Sequence, residues 1–500
     1  MASVESVQRR MQTTFKIEYP GDDLANEHMS KIIKWLVLDF KKKYPLLFTR
    51  EYTGGRRPKY EWDELLAFDI YCVYSNKRTF RKREEWLTND DGSCNYILNN
   101  KRPSKTTMND FRLNNPLLFL EFFQHTVDLG IDLCLIDGDF VVLDSTKIKA
   151  YANNFKTLSV RQLCYLFDLV LDLSLDKSKK SKWFRLRKFF FSDKLPEVLV
   201  DLVEEIYKNL NMHGINLLKT ALLSPEKCDW ALNLLNDLIN NYDGNNRINL
   251  TDPESRRMKM KDRTSRYAYT VQTVRDIKTG FTVSQRVTHE KNDKNALMPA
   301  LDDTIAALGK SPRFILADNG YLDEPSLEYA YMRNVLPIIP NVTQSMARNG
   351  TQKNNQYHKS SMKYDNVDDF YRCPYYDKVA NVGTRLTSKG LKTFYRATKC
   401  PECPFHENCT SRKYKEFQEI AHPLFLETKK NFQAAEELLL YKYRGIFSEG
   451  GFGTLMHGRE YPNLRRRGKQ KADLDLKIEA TVDNLIKIRD HLNASLINLN

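Results

Sequence analysis

A chain of 500 residues is longer than one hydrophobic core usually serves, and 41% hydrophobic with 11% aromatic residues is the composition of a folded protein, not a disordered one. The formal net charge of +14 points to a polyanionic partner, because surplus Lys and Arg gain affinity by displacing counterions from phosphates. No apolar run approaches the roughly 18 residues that span a bilayer and the opening MASVESVQRR lacks a signal peptide's apolar region, so a cytosolic location without a membrane partner is expected; nine cysteines, an odd number, argue against a disulfide framework.

Residues 24 to 130 predict helices, with apolar positions spaced by three and four in MSKIIKWLVLDF, WDELLAFDIYCVY and PLLFLEFFQHTVDLG. Between them Ser104 or Thr106 is placed to cap a short helix that ends before Pro116. This region reads as a helix-turn-helix module or an ordinary bundle. GDFVVLDSTKIKAY, from Gly138, predicts a strand ending near Asp144. A helical stretch follows over roughly 156 to 250. RYAYTVQTVRD and GFTVSQRVTHE then predict a hairpin turning at Asp276 to Gly280, and DKNALMPALDDTIAALG a helix stopping near Gly309. RFILADNGY predicts a short strand terminating at Asp318, DEPSLEYAYMRN a helix, and VLPIIPN a further strand. Polar, cysteine-bearing sequence occupies 342 to about 424. A long helical pattern runs from Leu426 to about His457, and a basic segment then precedes the helix LKIEATVDNLIKIRDHL. This order is that of a mixed sheet covered by helices.

Carboxylates at strand ends stand at the rim of such a sheet, where ligands collect. Asp144 and Asp318 are so placed, and Glu449 lies in the late helical pattern. Three carboxylates are enough to hold a pair of magnesium ions, hard cations that prefer oxygen ligands. Alone, Asp318 is equally the start of a turn, since Asn319 and Gly320 follow it. Cys373, Cys400, Cys403 and Cys409 are spaced C-x26-C-x2-C-x5-C, a pattern for one structural zinc in a segment with too little apolar sequence for its own core; reduced thiols are the alternative, and His406 is a substitute ligand.

Seven basic residues between Lys177 and Lys188 interleave with Trp183 and Phe184, and Phe189 to Phe191 follow; a helix with its rings in the core is the favoured account of the aromatics. Arg459, Arg465, Arg466, Arg467, Lys469 and Lys471 follow the late helix and its carboxylate, a basic cluster suited to the phosphates of a polyanionic partner. RRMKMKDRTSR, from Arg256, is another basic track. Gly450, Gly451 and Gly453 are followed by no Lys-Ser/Thr and preceded by no strand, so ATP and NAD binding are excluded.

Asp144-Ser145-Thr146-Lys147, Ala317-Asp318-Asn319-Gly320-Tyr321, and Tyr443-Arg444 through Ser448-Glu449 with Phe452-Gly453 resemble the catalytic blocks of DDE insertion-sequence transposases. The resemblance is to the bacterial group with an RNase H-like core and a cysteine cluster, related to the IS-five and IS-eleven-eighty-two types, and it covers most of residues 50 to 490. GGRRPKYEWDELL, TTMNDFRLNNP and DPESRRMK, from Asp252, resemble further blocks of that group. It implies an α/β fold: an RNase H-like mixed β-sheet flanked by helices, with a helical N-terminal domain, a helical insertion and a small cysteine-rich insertion. The implied units are a DNA-binding domain over 1–130, the catalytic core over 131–155 and 251–341, a helical insertion over 156–250, the cysteine-rich insertion over 342–424, and C-terminal helices over 425–500 that complete the core.

The implied activity is magnesium- or manganese-dependent DNA cleavage and strand transfer, in a bacterial nucleoid-associated protein. Asp144 would bridge two ions, with Asp318 and Glu449 each completing one. DNA, as element ends and target, is the implied partner, with a homodimer or larger synapse to process two ends. Arg444, five residues before Glu449, suits either a phosphate contact or a salt bridge. Met456 stands where related enzymes usually carry a lysine, so His457 or Arg459 would supply that contact. The alternatives are a non-catalytic DNA-binding derivative of a transposase and a nuclease that does not join strands.

Overall fold

The computed structural model describes residues 24–25, 28–50, 58–89, 91–176, 181–192, 199–240, 247–348, 357–365, 367–375, 377–387, 390–453 and 463–497. Six helices open the described chain: α1 (Met29–Lys43), α2 (Trp62–Tyr74), α3 (Phe80–Leu87), α4 (Gly92–Leu98), α5 (Lys105–Asn114) and α6 (Pro116–Asp132). Each starts on a recognisable signal. Thr79, Asp91 and Ser104 accept backbone N–H groups at the starts of α3, α4 and α5, Glu61 and Glu64 form a capping box at α2, and Pro116 begins α6. Their apolar faces, with Phe40, Leu66, Ile97, Phe122 and Val127 buried, join one continuous core with the central sheet and the last helix.

The central sheet has six strands: β1 (Phe140–Lys149), β4 (Arg256–Lys259), β5 (Ser265–Asp276), β6 (Thr282–Thr288), β7 (Phe314–Leu316) and β8 (Leu336–Ile338). The order is β4-β5-β1-β7-β8, with β6 also on β5; β1 is antiparallel to β5 and parallel to β7, which is parallel to β8. This is the mixed, helix-covered sheet that the element order predicts. The strand through Asp144 does not end there. It runs five residues further, to Lys149, because β5 continues to pair with it through Lys149↔Ala268 after β7 has stopped at Val142↔Leu316.

Between β1 and β4 the chain leaves the sheet. β2 (Thr157–Ser159) pairs with β3 (Arg247–Asn249) at the root of five helices: α7 (Val160–Leu175), α8 (Lys182–Ser192), α9 (Val200–Asn209), α10 (Met212–Ala221) and α11 (Pro225–Asn240). They share a separate core around Leu166, Leu173, Leu186, Ile206, Leu218 and Leu235. Trp183 and Phe190 are buried in it, as expected of the aromatics in that basic stretch, but Phe184 and Phe191 are exposed, and Lys177, Lys179 and Lys180 lie outside the described residues. The chain re-enters at Asp252, fully buried and accepting a hydrogen bond from Tyr269 Oη of β5 at 2.8 Å.

Helices α12 (Leu297–Leu308), stopping at left-handed Gly309, and α13 (Glu324–Met332) lie after β6 and β7, and α14 (Val342–Arg348) follows β8. A second, antiparallel sheet is built from β9 (Lys363–Asp365), β10 (Phe370–Arg372), β11 (Lys378–Thr387), β12 (Gly390–Ala397) and β13 (Glu416–Ile420), with the short α15 (His406–Cys409) between β12 and β13. Contrary to expectation it has a small core, Met362, Tyr371, Val379, Tyr395 and Ala397, because the tyrosines supply area that the scarce aliphatic residues do not.

The late helical pattern is two helices, α16 (Pro423–Glu437) and α17 (Lys442–Gly453), not one; the stretch from 454 to His457 lies outside the described residues. Leu439 takes φ 59°, which stops α16 and turns Tyr441 into the core, where its hydroxyl donates to Ala317 O at 2.9 Å. The last helix, α18 (Lys469–Ile497), crosses behind the sheet. Buried ion pairs join it to the N-terminal helices, Arg78 to Glu479 at 2.8 Å and Arg112 to Asp475 at 2.9 Å. Among the described residues no helix is long and apolar enough to cross a membrane.

Candidate active site

Parallel pairing of β1 and β7 sets Val142 opposite Leu316. Two residues beyond each lie Asp144 and Asp318, so the two carboxylates leave neighbouring strands at matching register, outside the C-terminal end of β7. Strands in a sheet are about 4.8 Å apart. Asp318 caps the following turn by accepting Gly320 N–H at 2.8 Å, which fixes its side chain without removing it from the site.

Arg444, in the first turn of α17, lies 3.1 Å from Asp144 Oδ1 and 3.4 Å from Asp318 Oδ2. The salt bridge is therefore the arrangement formed, and its partners are the two predicted site carboxylates. Burial opposes the Arg444 charge, but Tyr441, Asp144 and Asp318 outweigh it and hold its pKa above the ordinary value. Burial pushes the Asp318 carboxyl up, aided by the charges of Asp144 and Asp293 and countered by Arg444 and the Gly320 N–H.

Helix α17 packs on β1 and is held from below. Arg275 of β5, buried, donates to Phe447 O at 3.3 Å and also lies within electrostatic reach of Asp144. The Phe447 ring sits against the hairpin turn at Gly280, where φ is +70° and an added Cβ would stand 2.6 Å from Phe447 Cδ1. Glu449 is on this helix, one and a half turns beyond Arg444; its side chain is outside those described.

Asp293 was not visible as a site residue in the sequence, where it reads as the start of the helix after β6. That helix begins at Leu297, which leaves Asp293 in a loop beside the carboxylates. Gln272 donates to it at 2.8 Å and in turn accepts from the buried Tyr321 hydroxyl, so a residue of the ADNGY block orients it through β5. A Cβ on Gly320 would meet Asp318 Oδ1 at 2.9 Å and Asp293 Oδ2 at 3.2 Å, which places both acids around that glycine. Asp139 and Asp323 serve elsewhere: Asp139 pairs with Lys310 at 2.9 Å, and Asp323 caps α13.

Of the basic residues after α17, Arg465 and Arg467 are exposed, Arg466 turns inward to Asp475 with Nε 2.9 Å from Oδ2, and Lys469 lies half-buried at the start of α18, its backbone N–H bonded to Glu254. His457 and Arg459 lie outside the described residues.

Cys373, Cys400, Cys403 and Cys409 line one cavity of about 540 Å³ beside the second sheet, with His406 at its edge. Backbone N–H groups of Tyr375 and Lys415 each lie 3.3 Å from a sulfur, Cys373 and Cys400 respectively, while burial pushes the Cys400 and Cys409 thiols up. No three of the four sulfurs come within 4.8 Å of one another, whereas zinc with bonds of about 2.3 Å would draw them to roughly 3.8 Å. Among the described residues one group does have its ligand atoms within that distance, the largely exposed Glu324, Glu328 and His422, in which His422 Nε2 lies 3.1 Å from Glu324; none of these belongs to the predicted set.

Residues 372–489 match a family model described as a transposase DDE domain. The matched segment carries the cysteine cavity, Arg444, α17 and most of α18; Asp144 and Asp318 precede it. No curated protein and no solved structure matches the chain. The match supports a DDE transposase, an enzyme acting on DNA, and the mixed α/β architecture is consistent with one.

Proposed function

We propose that the protein is an RNase H-like DDE transposase that binds the ends of an insertion sequence, cleaves there and joins the freed ends to target DNA. The observation that carries this is the in-register pair Asp144 and Asp318 closing on a single cation, the Arg444 guanidinium. A position where two carboxylates already share one positive charge, with oxygen donors throughout, fits a hard divalent ion. Asp144, Asp318 and, from α17, Glu449 would hold magnesium or manganese, which when bound supplies activation of the attacking hydroxyl and charge stabilisation for the departing oxygen. The hairpin β5–β6 on one side of β1 and the parallel β7 and β8 on the other support the RNase H-like part of the reading.

The chain's own residues do the positioning. Arg275, Phe447 and Tyr441 fix α17 against the sheet, so that Arg444 and Glu449 arrive from one rigid element. Arg444 can exchange its carboxylates for a phosphate, which guanidinium pairs with equally well. Arg465, Arg467 and Lys469 supply positive charge beyond α17, with His457 and Arg459 read as further DNA contacts and Arg466 as a brace for α18. The domain boundaries 1–130, 156–250 and 342–424 are read as DNA-binding domain, helical insertion and cysteine-rich insertion, the last closing on zinc through Cys373, Cys400, Cys403 and Cys409. Two ends must be processed together, so a dimer or larger synapse is the working form.

The test is magnesium-dependent cleavage of DNA carrying the element's ends, by the unaltered protein and by Asp318→Ala. Cleavage abolished by the substitution, with DNA binding retained, is expected. If both proteins bind and neither cleaves, the protein is a binding-only derivative. Cleavage without joining of a 3′-hydroxyl end into a plasmid makes it a nuclease.

A further inference from the structure

A cavity of about 1040 Å³ lies away from the carboxylates, at the junction of the central sheet with the five-helix insertion. It is walled by the loop leaving β1 (Lys149, Tyr151, Lys156), by α10 and α11 of the insertion (His213, Trp230), and by the segment entering α18 (Arg465, Arg467). Among the described residues that line it none is acidic. Leu464 N–H bonded to Lys149 O at 2.8 Å ties the last of these walls to the first.

Two rings in this wall are exposed although each is large and apolar: Tyr151 is 52% exposed and Trp230 47%. Arg467 stands over Tyr151 at 5.5 Å. On the same loop Phe155 is 82% exposed. Lys227 stands over Trp230 in the same way, at 5.6 Å. Cations alone suit any phosphate backbone, but half-exposed rings among them suit bases that have left their stack, which a duplex does not offer. Geometry adds a ruler: β1 carries Asp144 at one point and Lys149 five residues later, about 16 Å along a strand, a distance that an unstacked DNA strand covers in a few nucleotides.

Resting on the reading of the carboxylates as a DNA-processing site, we infer that this groove binds a single-stranded DNA segment a few nucleotides from the reacting phosphate. Its bases stack on Trp230 and Tyr151, and its backbone follows Lys149, Lys156, Arg465 and Arg467. The insertion thereby completes the substrate path that the sheet begins.

The test uses the full-length protein without added metal, fluorescein-labelled 15-nucleotide oligothymidylate and a 15-base-pair duplex, read by anisotropy. Trp230→Ala is expected to weaken single-strand binding about tenfold and duplex binding less than about twofold. Trp230→Phe, which keeps a ring, restores most of it, and an unchanged thermal melt shows that the surface substitution leaves the fold intact. Arg465→Ala with Arg467→Ala should lower the slope of log K against log salt by about 1.4, at about 0.7 per phosphate of a single strand. Single-strand binding that is indifferent to Trp230 and Tyr151, or equal losses on duplex, overturns the inference. Magnesium-dependent cleavage is scored separately: cleavage with Trp230-independent binding removes the groove alone, and Trp230-dependent binding without cleavage removes the catalytic reading alone.

Discussion

Arg444 and Asp144 are 300 residues apart in the chain and 3.1 Å apart in the fold, and the same guanidinium reaches Asp318 at 3.4 Å. A cation so placed competes with any metal for the same oxygens. Arg444→Ala is expected to tighten manganese binding at this site by about tenfold, roughly 1.4 kcal/mol, while lowering strand cleavage, because the phosphate loses a partner. Calorimetric titration with Mn²⁺ checks the first half. Unchanged affinity would show that the guanidinium does not occupy these carboxylates in solution.

Asp293 acts with the opposite sign. It adds negative charge beside Asp318 and is oriented by Gln272. Asp293→Asn keeps an acceptor for Gln272 and removes the charge, so manganese affinity should fall about threefold to tenfold in the same titration, a change of about 0.6–1.4 kcal/mol.

Gly280 sets how closely α17 approaches the hairpin. Alanine there would be strained at φ +70° and would meet the Phe447 ring at 2.6 Å. Gly280→Ala should cost about 1–3 kcal/mol in urea unfolding and reduce cleavage more than that loss of stability explains, since α17 shifts. Pairing it with Phe447→Ala removes the clash and should recover part of the stability.

The four cysteines predict bound zinc near one equivalent after purification, measured by elemental analysis. Cys403→Ser should lower that content and the melting temperature, because metal binding draws together sulfurs that otherwise stand open around their cavity. Zinc below about half an equivalent in the unaltered protein would leave the cavity as a set of reduced thiols.

Asp69 is a buried carboxylate between Arg112 and Arg83, the latter at 3.1 Å. Burial would raise its pKa, but the two guanidinium groups outweigh burial and hold it below the ordinary value of 3.8. A depressed folded pKa means stability that is present above about pH 3.8 and lost as pH falls through the lower folded value. Asp69→Asn should therefore destabilise by about 3–5 kcal/mol at neutral pH, by leaving buried cations unpaired. Urea unfolding at pH 6 and pH 3 should also show a weaker acid dependence in the variant than in the unaltered protein.

Much of the architecture is legible in the sequence because the governing signals are local. Ser104 caps its helix, Gly309 ends another, and Asp276 to Gly280 turns a hairpin, each through backbone preferences carried within a few residues. The same locality makes Asp144 and Asp318 readable as acids on the strands of a sheet's rim. Local pattern fails where a break has no Gly or Pro to announce it: Leu439 ends α16 in the left-handed region because Tyr441 packs under Ala317, and nothing adjacent to Leu439 encodes that.

By itself the sequence determined most of the helices, the main strands of the central sheet and the two aspartates, since these follow from periodicity and turn chemistry along the chain; the five strands of the second sheet, in polar sequence without clear alternation, it did not. Tertiary structure alone decided that Asp144 and Asp318 stand in register, that Arg444 meets both, that Asp293 joins them, and that Arg465 and Arg467 open on a groove while Arg466 turns to Asp475. The physical reason is distance along the chain. Register is set by how whole strands pair, and the partner of a long charged side chain is set by which elements pack beside it; both are properties of segments hundreds of residues apart brought together by one core.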